Sequence, residues 1–287
     1  MKKNFEFIFV ALVLLFLSIG LTGCNSATEG SSNGISARTI EEIQQEGSIR
    51  IGVFSDKKPF GYIDNNGDYQ GYDIYFARRI AKELLGDENA VEFVSVEPAN
   101  RVEYLESGRV DIILANFTVT DERSEKVDFA LPYMKVSLGV VSPDGGITDV
   151  SQLEGNTLIV CKGTTAEIYF RENHPQIKLL KFDQYTEAYN ALLDGRGDAF
   201  STDNTEVLAW AMENDGFEVG IDSIGNQDTI APAVQKGNIE LLEWINELID
   251  KLADEDFFHT NYETNLLPVY GDTVDPDNIV IEGGILN

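Results

Sequence analysis

The apolar and polar positions of the chain follow two alternating rhythms, one typical of strands and one typical of helices. Short apolar runs at 48–54, 90–96 and 109–115 predict buried strands. Between the first two runs, apolar residues recur at helical spacing before Gly86, which predicts an amphipathic helix that ends there. The residues that share one face of this helix are Ile74, Ala77, Ile80, Ala81 and Leu84. Strands that alternate with helices predict an α/β fold with a largely parallel sheet.

The second half of the chain repeats this order. Apolar runs at 156–160, 177–182 and 198–201 predict strands, and a helical pattern follows each of them. The motif Leu105-x-x-Gly-Arg-Val-Asp of the first half returns as Leu192-x-x-Gly-Arg-Gly-Asp. The repeat indicates two related lobes, or it reflects only the general likeness of helix-to-strand connections.

The first residues are typical of an export signal. Lys2 and Lys3 precede an apolar stretch, and the stretch is shorter than a membrane-spanning helix needs. The following LTGC resembles a bacterial lipobox, so we expect residues 1–23 to be a lipoprotein signal peptide. Cys24 would then become a lipidated N-terminus carrying acyl chains such as palmitate, and the alternative is an ordinary secretory signal. Residues 24–37 are small and polar and predict a flexible, lipid-anchored tether.

Charge and composition exclude several classes of partner. The chain has 49 Asp and Glu against 21 Lys and Arg, a formal net charge of −28. This balance argues against nucleic acid and against direct binding to an anionic membrane, which leaves the lipid anchor as the membrane contact. The two histidines, His174 and His259, lie far apart and lack ligand spacing, so we expect no metal and no cofactor.

Four segments carry a resemblance to a known family. They are PFGYIDNNGDYQGYDIYFARRIAKELLG, LESGRVDIILANFTVTDERSEKVDFALPY, KGTTAEIYF and DGRGDAFSTDN. They resemble the extracellular solute-binding proteins of ABC transporters for amino acids, family 3 type, and the likeness covers residues 38–270. The runs NRVEYLESGRVDIILANFTVT, KGTTAEIYF, STDNTEVLAW and IAPAVQKG are most similar to cysteine-binding members.

This resemblance implies a two-lobed, type II periplasmic-binding-protein-like α/β fold with two hinge-crossing strands. Lobe 1 would comprise 38–134 plus 231–287, and lobe 2 would comprise 138–226. The hinges would be 135–137 and 227–230. The resemblance also implies a monomer at the extracytoplasmic face of the cell membrane that serves a permease and its ATPase.

A free amino acid carries two opposite charges, and each needs a partner in a dry cleft. Arg123 follows Thr120, a good helix N-cap, and its planar fork suits a carboxylate. It matches the carboxylate-binding arginine of the family, and an exposed surface arginine is the alternative. Thr118 matches the hydroxyl donor at that site. Asn116 matches the residue whose backbone carbonyl accepts from the ammonium.

The second half supplies the opposing contacts. Thr164-x-x-Glu167 predicts a capping box and a helix start, where free N–H groups near Thr165 favour an anion. By resemblance this is the second contact to the ligand carboxylate. Asp203 matches the ammonium-binding aspartate, or it serves only as the N-cap of a helix from Asn204.

The pocket for the ligand side chain is implied by position alone. Its expected members are Phe54, Lys57, Arg101, Phe117, Tyr133 and Cys161. Many relatives have Asp in place of Phe54 and an aromatic residue in place of Lys57, and these departures disfavour a cationic ligand. Arg101 falls where binders of acidic amino acids hold the side-chain carboxylate, and a solvated helix residue is the alternative. Cys161 is expected to pack rather than react.

The expected function is capture of a free L-amino acid, cysteine or cystine, by closure of two lobes and its delivery to a permease. A binder of aspartate or glutamate is the alternative within the family. An enzyme similar to cyclohexadienyl dehydratase is a third reading. No cysteine–histidine or serine–histidine pair stands out, so we expect no enzyme.

Overall fold

The computed structural model describes residues 36–285. The predicted signal peptide, the lipidation site at Cys24 and residues 24–35 of the predicted tether lie outside the described residues. The chain forms two α/β lobes, each built on a five-stranded sheet, which confirms the predicted fold class. Within 36–285 no helix combines the length and the apolar character needed to cross a membrane.

The helices and strands of the first lobe come before and after those of the second. The chain first forms α1 (Ile40–Glu46), β1 (Ile49–Val53), β2 (Asp56–Lys57), β3 (Gly61–Ile63), β4 (Tyr69–Gln70), α2 (Tyr72–Leu85), β5 (Val91–Ser95), α3 (Arg101–Glu106), β6 (Ile112–Ile113), α4 (Asp121–Ser124) and β7 (Val127–Phe129). The second lobe follows with β8 (Met134–Pro143), β9 (Thr157–Cys161), α5 (Thr165–Asn173), β10 (Lys178–Phe182), α6 (Tyr185–Leu193), β11 (Ala199–Asp203), α7 (Asn204–Glu213) and β12 (Phe217–Ile230). The chain then returns to the first lobe for β13 (Ala233–Gln235), α8 (Ile239–Ala253), α9 (Phe257–Asn265) and α10 (Leu267–Tyr270).

The sheet of the first lobe has the strand order β5-β1-β6-β13-β7. Strand β1 runs parallel to β5 and β6, and β13 runs antiparallel to β6 and β7. The predicted helix is present as α2, its apolar face is buried, and Gly86 ends it in the left-handed conformation. Between β1 and α2 along the chain, the strands β2, β3 and β4 form a small separate sheet.

Strand β6 is much shorter than the predicted run at 109–115. At its start, the side chain of Asp111 accepts hydrogen bonds from the backbone N–H and the guanidinium of Arg50, at 2.8 and 2.9 Å. At its end, Asn116 adopts a φ of 43°, which turns the chain out of the sheet. Backbone bonds to β1 still continue beyond β6, because Asp111 and Leu114 donate their N–H groups to the carbonyls of Arg50 and Gly52, both at 2.9 Å.

The sheet of the second lobe has the order β10-β9-β11-β8-β12. Strand β9 is parallel to β10 and β11, whereas β8 is antiparallel to β11 and β12. Strands β8 and β12 continue into the predicted hinges, where Lys135 pairs with Thr229 and Val136 pairs with Asp228. The chain therefore crosses between the lobes as a pair of hydrogen-bonded antiparallel strands, and a hinge motion there stays a prediction.

The two lobes touch across the cleft between them. Phe54 of the first lobe packs edge-on against Tyr185 of the second, with ring centroids 5.4 Å apart. The hydroxyl of Tyr270 donates to the carbonyl of Thr205 at 2.8 Å. One hydrophobic cluster contains buried residues from both lobes. In this structure the two lobes are therefore closed on each other.

Candidate functional site

Most of the predicted binding residues gather where parallel strands end. In the first lobe they follow β1 and β6, and in the second they follow β9 and β11. In α/β sheets this edge is the usual place for a ligand crevice. Here the strand ends of one lobe face those of the other, so side chains from both lobes meet in the cleft.

Arg123 lies in the single turn of α4, where the Thr120 hydroxyl accepts from its backbone N–H. Its side chain is buried, so it is not a solvated surface arginine. One guanidinium nitrogen donates to the carbonyl of Thr118 at 2.6 Å, and another crosses the cleft to the carbonyl of Gly163 at 2.9 Å. Burial, together with the like charge of Arg101, lowers the pKa of Arg123 to about 9.

Arg101 is also buried, with 3% of its surface exposed. Its guanidinium lies 4.4 Å from the ring centroid of Phe117 and 5.5 Å from that of Phe54. Its N–H groups donate to the backbone carbonyls of Pro98, Ala115, Asn116 and Gly163, at 3.0, 3.1, 3.2 and 3.3 Å. Burial lowers its pKa. Protein carbonyls therefore already use most of the donors that Arg101 has.

At Gly163 the backbone of the second lobe comes close to the backbone of the first lobe. Its φ is 73°, and an added Cβ would lie 2.6 Å from the Cα of Ala99 in the first lobe. Its carbonyl accepts from both Arg101 and Arg123. Only a glycine meets both the backbone conformation and the close approach.

The predicted capping box at the start of α5 forms only in part. The Thr164 hydroxyl accepts from the backbone N–H of Glu167, as predicted. The Glu167 carboxylate, however, accepts from the N–H of Gly163 at 2.9 Å rather than from that of Thr164. The Glu167 carboxylate also accepts from the ammonium of Lys181 at 2.7 Å, so its partners are Gly163 and Lys181 and not the N–H of the N-cap residue. Thr165, the first residue of α5, is half-buried.

Lys57 joins the lobes through a buried cluster of charges. Its ammonium donates to the side-chain oxygen of Asn116 at 2.6 Å and to Asp203 at 3.0 Å, and it lies 2.9 Å from a carboxylate oxygen of Glu206. Only 1% of Lys57 is exposed. Burial alone would lower the pKa of Lys57, but the two carboxylates raise it well above its ordinary value. The side chain therefore carries a charge inside the closed cleft.

Asp203 ends β11 and takes the N-cap position of α7. Its side chain makes no capping hydrogen bond and turns instead to Lys57. The Asp203 side chain therefore does not have the alternative role of a simple helix N-cap. About 5% of the residue stays exposed, so it lies at the edge of the buried cluster.

Glu206 belongs to this cluster although the sequence reasoning did not select it. It lies in the first turn of α7, is fully buried, and accepts from the Tyr189 hydroxyl at 2.9 Å and the Thr202 hydroxyl at 3.1 Å. Burial raises its pKa to about 7 even beside Lys57. The spacing of Asp203 and Glu206, three residues apart at a helix start, is the signal that could have found it.

Asp73 is a second buried acid that the sequence reasoning missed. It accepts from the backbone N–H of Asn116 at 2.8 Å and from the Tyr133 hydroxyl at 2.7 Å. Burial raises the pKa of Asp73 to about 7. Asp73 thus holds the strained turn at Asn116. Tyr133 packs behind it among aromatic residues of the first lobe rather than beside Arg123.

The remaining predicted residues form the apolar part of the site. Phe54, Phe117 and Cys161 are buried in one cluster, and Thr118 forms a bridge with Ile230 at the start of the crossing strands. Burial raises the pKa of the Cys161 thiol well above its ordinary value, which is the character of a packing thiol and not of a nucleophile. Over residues 36–285 no group of three or more His, Cys, Asp and Glu side chains could hold a metal ion.

The chain is similar to proteins of one known family. Residues 49–266 match the bacterial extracellular solute-binding proteins, family 3. The crystal structure of the cysteine-binding protein from Campylobacter jejuni is similar with a TM-score of 0.84 and 57% identity, covering 85% of this chain and 98% of that one. The solute receptor for L-cysteine of Neisseria gonorrhoeae has a TM-score of 0.84 and 55% identity, covering 85% and 100%. The glutamine-binding protein of an ABC transporter from Bacillus subtilis is 33% identical over 274 residues, 92% of this chain and 97% of the relative.

Proposed function

Because the chain belongs to the bacterial extracellular solute-binding proteins of family 3, we propose that it captures free L-cysteine, or cystine, for an ABC importer. The observation that carries the proposal is the pair of opposite charges in the cleft, Arg123 from one lobe and Asp203 from the other. A zwitterion enclosed between them would find a partner for each end.

The ligand carboxylate would bind to Arg123, with the Thr118 hydroxyl and the free N–H groups at the start of α5 near Thr165 as further donors. Support comes from the position of Arg123, which is buried and reaches Gly163 just ahead of α5. A guanidinium and a helix N-terminus both favour an anion.

The ligand ammonium would bind to Asp203 and to the backbone carbonyl of Asn116. Within residues 36–285 one carboxylate oxygen of Asp203 accepts from Lys57, and the other accepts no hydrogen bond. The Asn116 carbonyl accepts from Arg101, and a carbonyl oxygen can accept a second bond.

The surroundings of the side-chain pocket favour a small neutral ligand. The buried ammonium of Lys57 disfavours arginine and lysine. Arg101 already donates to four backbone carbonyls, which disfavours a second role in holding an aspartate or glutamate side chain. Phe54, Phe117 and Cys161 supply apolar and sulfur surface for a thiol side chain. The cysteine-binding neighbours at 57% and 55% identity point the same way.

Delivery would follow from closure of the lobes. A ligand that bridges the lobes shifts the balance towards the closed form, and the closed form presents one combined surface to a permease with its ATPase. Lipidation at Cys24 would keep the monomer at the extracytoplasmic face of the membrane. Incorporation of labelled palmitate into the wild-type protein and not into Cys24→Ser would support this anchor.

A thermal-shift screen of the common amino acids plus cystine, followed by calorimetry, tests the proposal. We expect L-cysteine under reducing conditions, or cystine without reductant, to give the largest shift. A larger response to aspartate or glutamate would favour the alternative within the family. Turnover of a cyclohexadienyl substrate by the same preparation would instead favour a dehydratase, and we expect none.

A further inference from the structure

We propose that Glu206 is a positioning residue for ligand capture, which neutralises Lys57 so that Asp203 keeps an oxygen for the ligand ammonium. The inference rests on the proposed function, since it concerns the amino group of a bound amino acid. It adds a residue outside the expected ligand contacts and gives it a role in selecting for that amino group.

Lys57 is the reason that a second carboxylate is needed. Its ammonium is buried between Asn116, Asp203 and Glu206 in the closed cleft. A buried ammonium without a full counter-charge is costly, so one of the two carboxylates must compensate it. If Asp203 alone did so, its charge would already be balanced before a ligand arrived.

Glu206 is better placed than Asp203 to be the resident partner of Lys57. All the groups that hold it belong to the protein: Tyr189 donates to one carboxylate oxygen, and Thr202 and Lys57 lie at the other. It is fully buried and makes no contact that a ligand would replace. Asp203 keeps some exposure and keeps one carboxylate oxygen that accepts no hydrogen bond from any described residue.

The charges then divide between two pairs. Lys57 pairs with Glu206 inside the protein, and Asp203 is left to pair with the ligand ammonium. Without the negative charge of Glu206, the ligand ammonium would enter beside a cation whose only anionic partner is Asp203. Loss of that charge therefore weakens the ligand ammonium contact and leaves the carboxylate contact at Arg123 unchanged.

The test compares two ligands on the full mature chain by calorimetry in a reducing buffer at about pH 8, above the pKa of about 7 of the Glu206 carboxyl. L-Cysteine has both charged groups, and 3-mercaptopropionate has the same thiol and carboxylate without the amino group. For Glu206→Gln we expect a loss of at least about tenfold in affinity for cysteine and less than about threefold for 3-mercaptopropionate. Glu172→Gln is the matched control, because Glu172 is an exposed glutamate of α5 in the same lobe and pairs with Arg171 of that lobe. It should change neither affinity.

A double variant gives a second readout that needs no analogue. Lys57→Met combined with Glu206→Gln removes the cation together with its counter-charge, so affinity for cysteine should recover from the level of Glu206→Gln towards that of the wild-type protein. Equal losses for both ligands in Glu206→Gln, no loss for either, or no recovery in the double variant would each overturn the inference. Failure of the wild-type protein to bind cysteine would instead overturn the proposed function, so the two failures are distinguishable.

Discussion

At the scale of single residues, Arg123 spans the cleft. Its guanidinium holds the Thr118 carbonyl of its own lobe and the Gly163 carbonyl of the other, and it lies 4.7 Å from the ring centroid of Phe117. These contacts fix the plane of the guanidinium. Among residues 36–285, no carboxylate side chain is one of its hydrogen-bond partners. The cation is thus preorganised for an anion that comes from outside.

Replacement of this cation should abolish most ligand binding. In Arg123→Ala the ligand carboxylate would be buried without its main partner, so we expect a loss of roughly a hundredfold in affinity, or ~3 kcal/mol. Calorimetry with L-cysteine measures it. Arg109→Ala is the control, since Arg109 is exposed and stacks on Tyr104. Unchanged affinity in Arg123→Ala would remove this residue from the site.

Asp73 gives the molecule a pH dependence of stability. Its folded-state pKa of about 7 lies above the ordinary value of an aspartate, so the folded chain keeps a proton that the unfolded chain releases. The free energy of unfolding should therefore fall as pH rises between these two values. In Asp73→Asn the fall from about pH 5 to about pH 8 should be smaller by ~2 kcal/mol.

Urea unfolding at the two pH values measures this difference. Asp194→Asn, at the exposed end of α6, is the control and should keep the pH dependence of the wild-type protein. An unchanged dependence in Asp73→Asn would show that this carboxyl is ionised in the folded protein.

The family resemblance and the residue pattern together supplied the candidates: both pointed to Arg123, a charge just after an apolar strand, and the resemblance implied Asp203 and Lys57. They did not predict Glu206 or Asp73. Both acids lie in the first turns of amphipathic helices, where an acid usually means a favourable surface position near the helix dipole. Only the packing of neighbouring elements shows that these two first turns are buried.

At the scale of elements, the loop between β9 and α5 forms a backbone contact between the two lobes. Gly163 lies at its centre, in the left-handed region and against Ala99 of the opposite lobe. The loop supplies the carbonyl that Arg101 and Arg123 share, and α5 begins two residues later. Its conformation therefore couples closure of the cleft to the donors at the helix start.

A methyl group at Gly163 should prevent full closure. Gly163→Ala would place a Cβ 2.6 Å from the Cα of Ala99, so we expect affinity for cysteine to fall by at least about tenfold. Gly155→Ala is a matched control, because Gly155 also has a positive φ, of 85°, with nothing within 4 Å of an added Cβ. Both variants should lose some thermal stability, but only Gly163→Ala should lose binding. Equal affinities would show that the loops need not approach so closely.

The regular helices of the fold were predictable, but the longest strand was not. Strand β12 covers 14 residues and contains Gly220 and Gly225, which in a sequence indicate turns. Pairing with the buried strand β8 keeps it extended, and register shifts at three places absorb the irregular residues. Contacts with a distant strand thus outweigh local preference, and no local pattern contains that information.

At the scale of the whole molecule, the C-terminal segment fastens the crossing strands to the first lobe. Val280 forms a bridge with Met134, and Lys135 donates through its backbone N–H to the Ile279 carbonyl at 2.7 Å. The family resemblance predicted two lobes and their crossing strands. It also assigned residues 231–287 to the first lobe, but the bonds of this segment to the crossing strands are seen only in the structure.

His259 of α9 holds that segment in place through both of its ring nitrogens. One nitrogen lies 3.0 Å from Glu282, and the other lies 3.0 Å from Asp277. Burial would lower the pKa of His259, but these two acids outweigh it and raise the pKa above its ordinary value. The protonated ring therefore stabilises the folded chain. This contribution is complete below the unfolded-state pKa and is lost as pH rises through the folded-state pKa.

Replacement of His259 should therefore matter most in mild acid. At about pH 6 we expect His259→Gln to melt at a lower temperature than the wild-type protein, and at about pH 9 the two should melt alike. Hydrogen exchange at Lys135 and Ile281, whose N–H groups bond across this contact, should be faster in the variant only in acid. His174→Gln, in the second lobe, is the control and should leave both amides unchanged. A difference that stays constant with pH would mean that His259 fills space there without carrying charge.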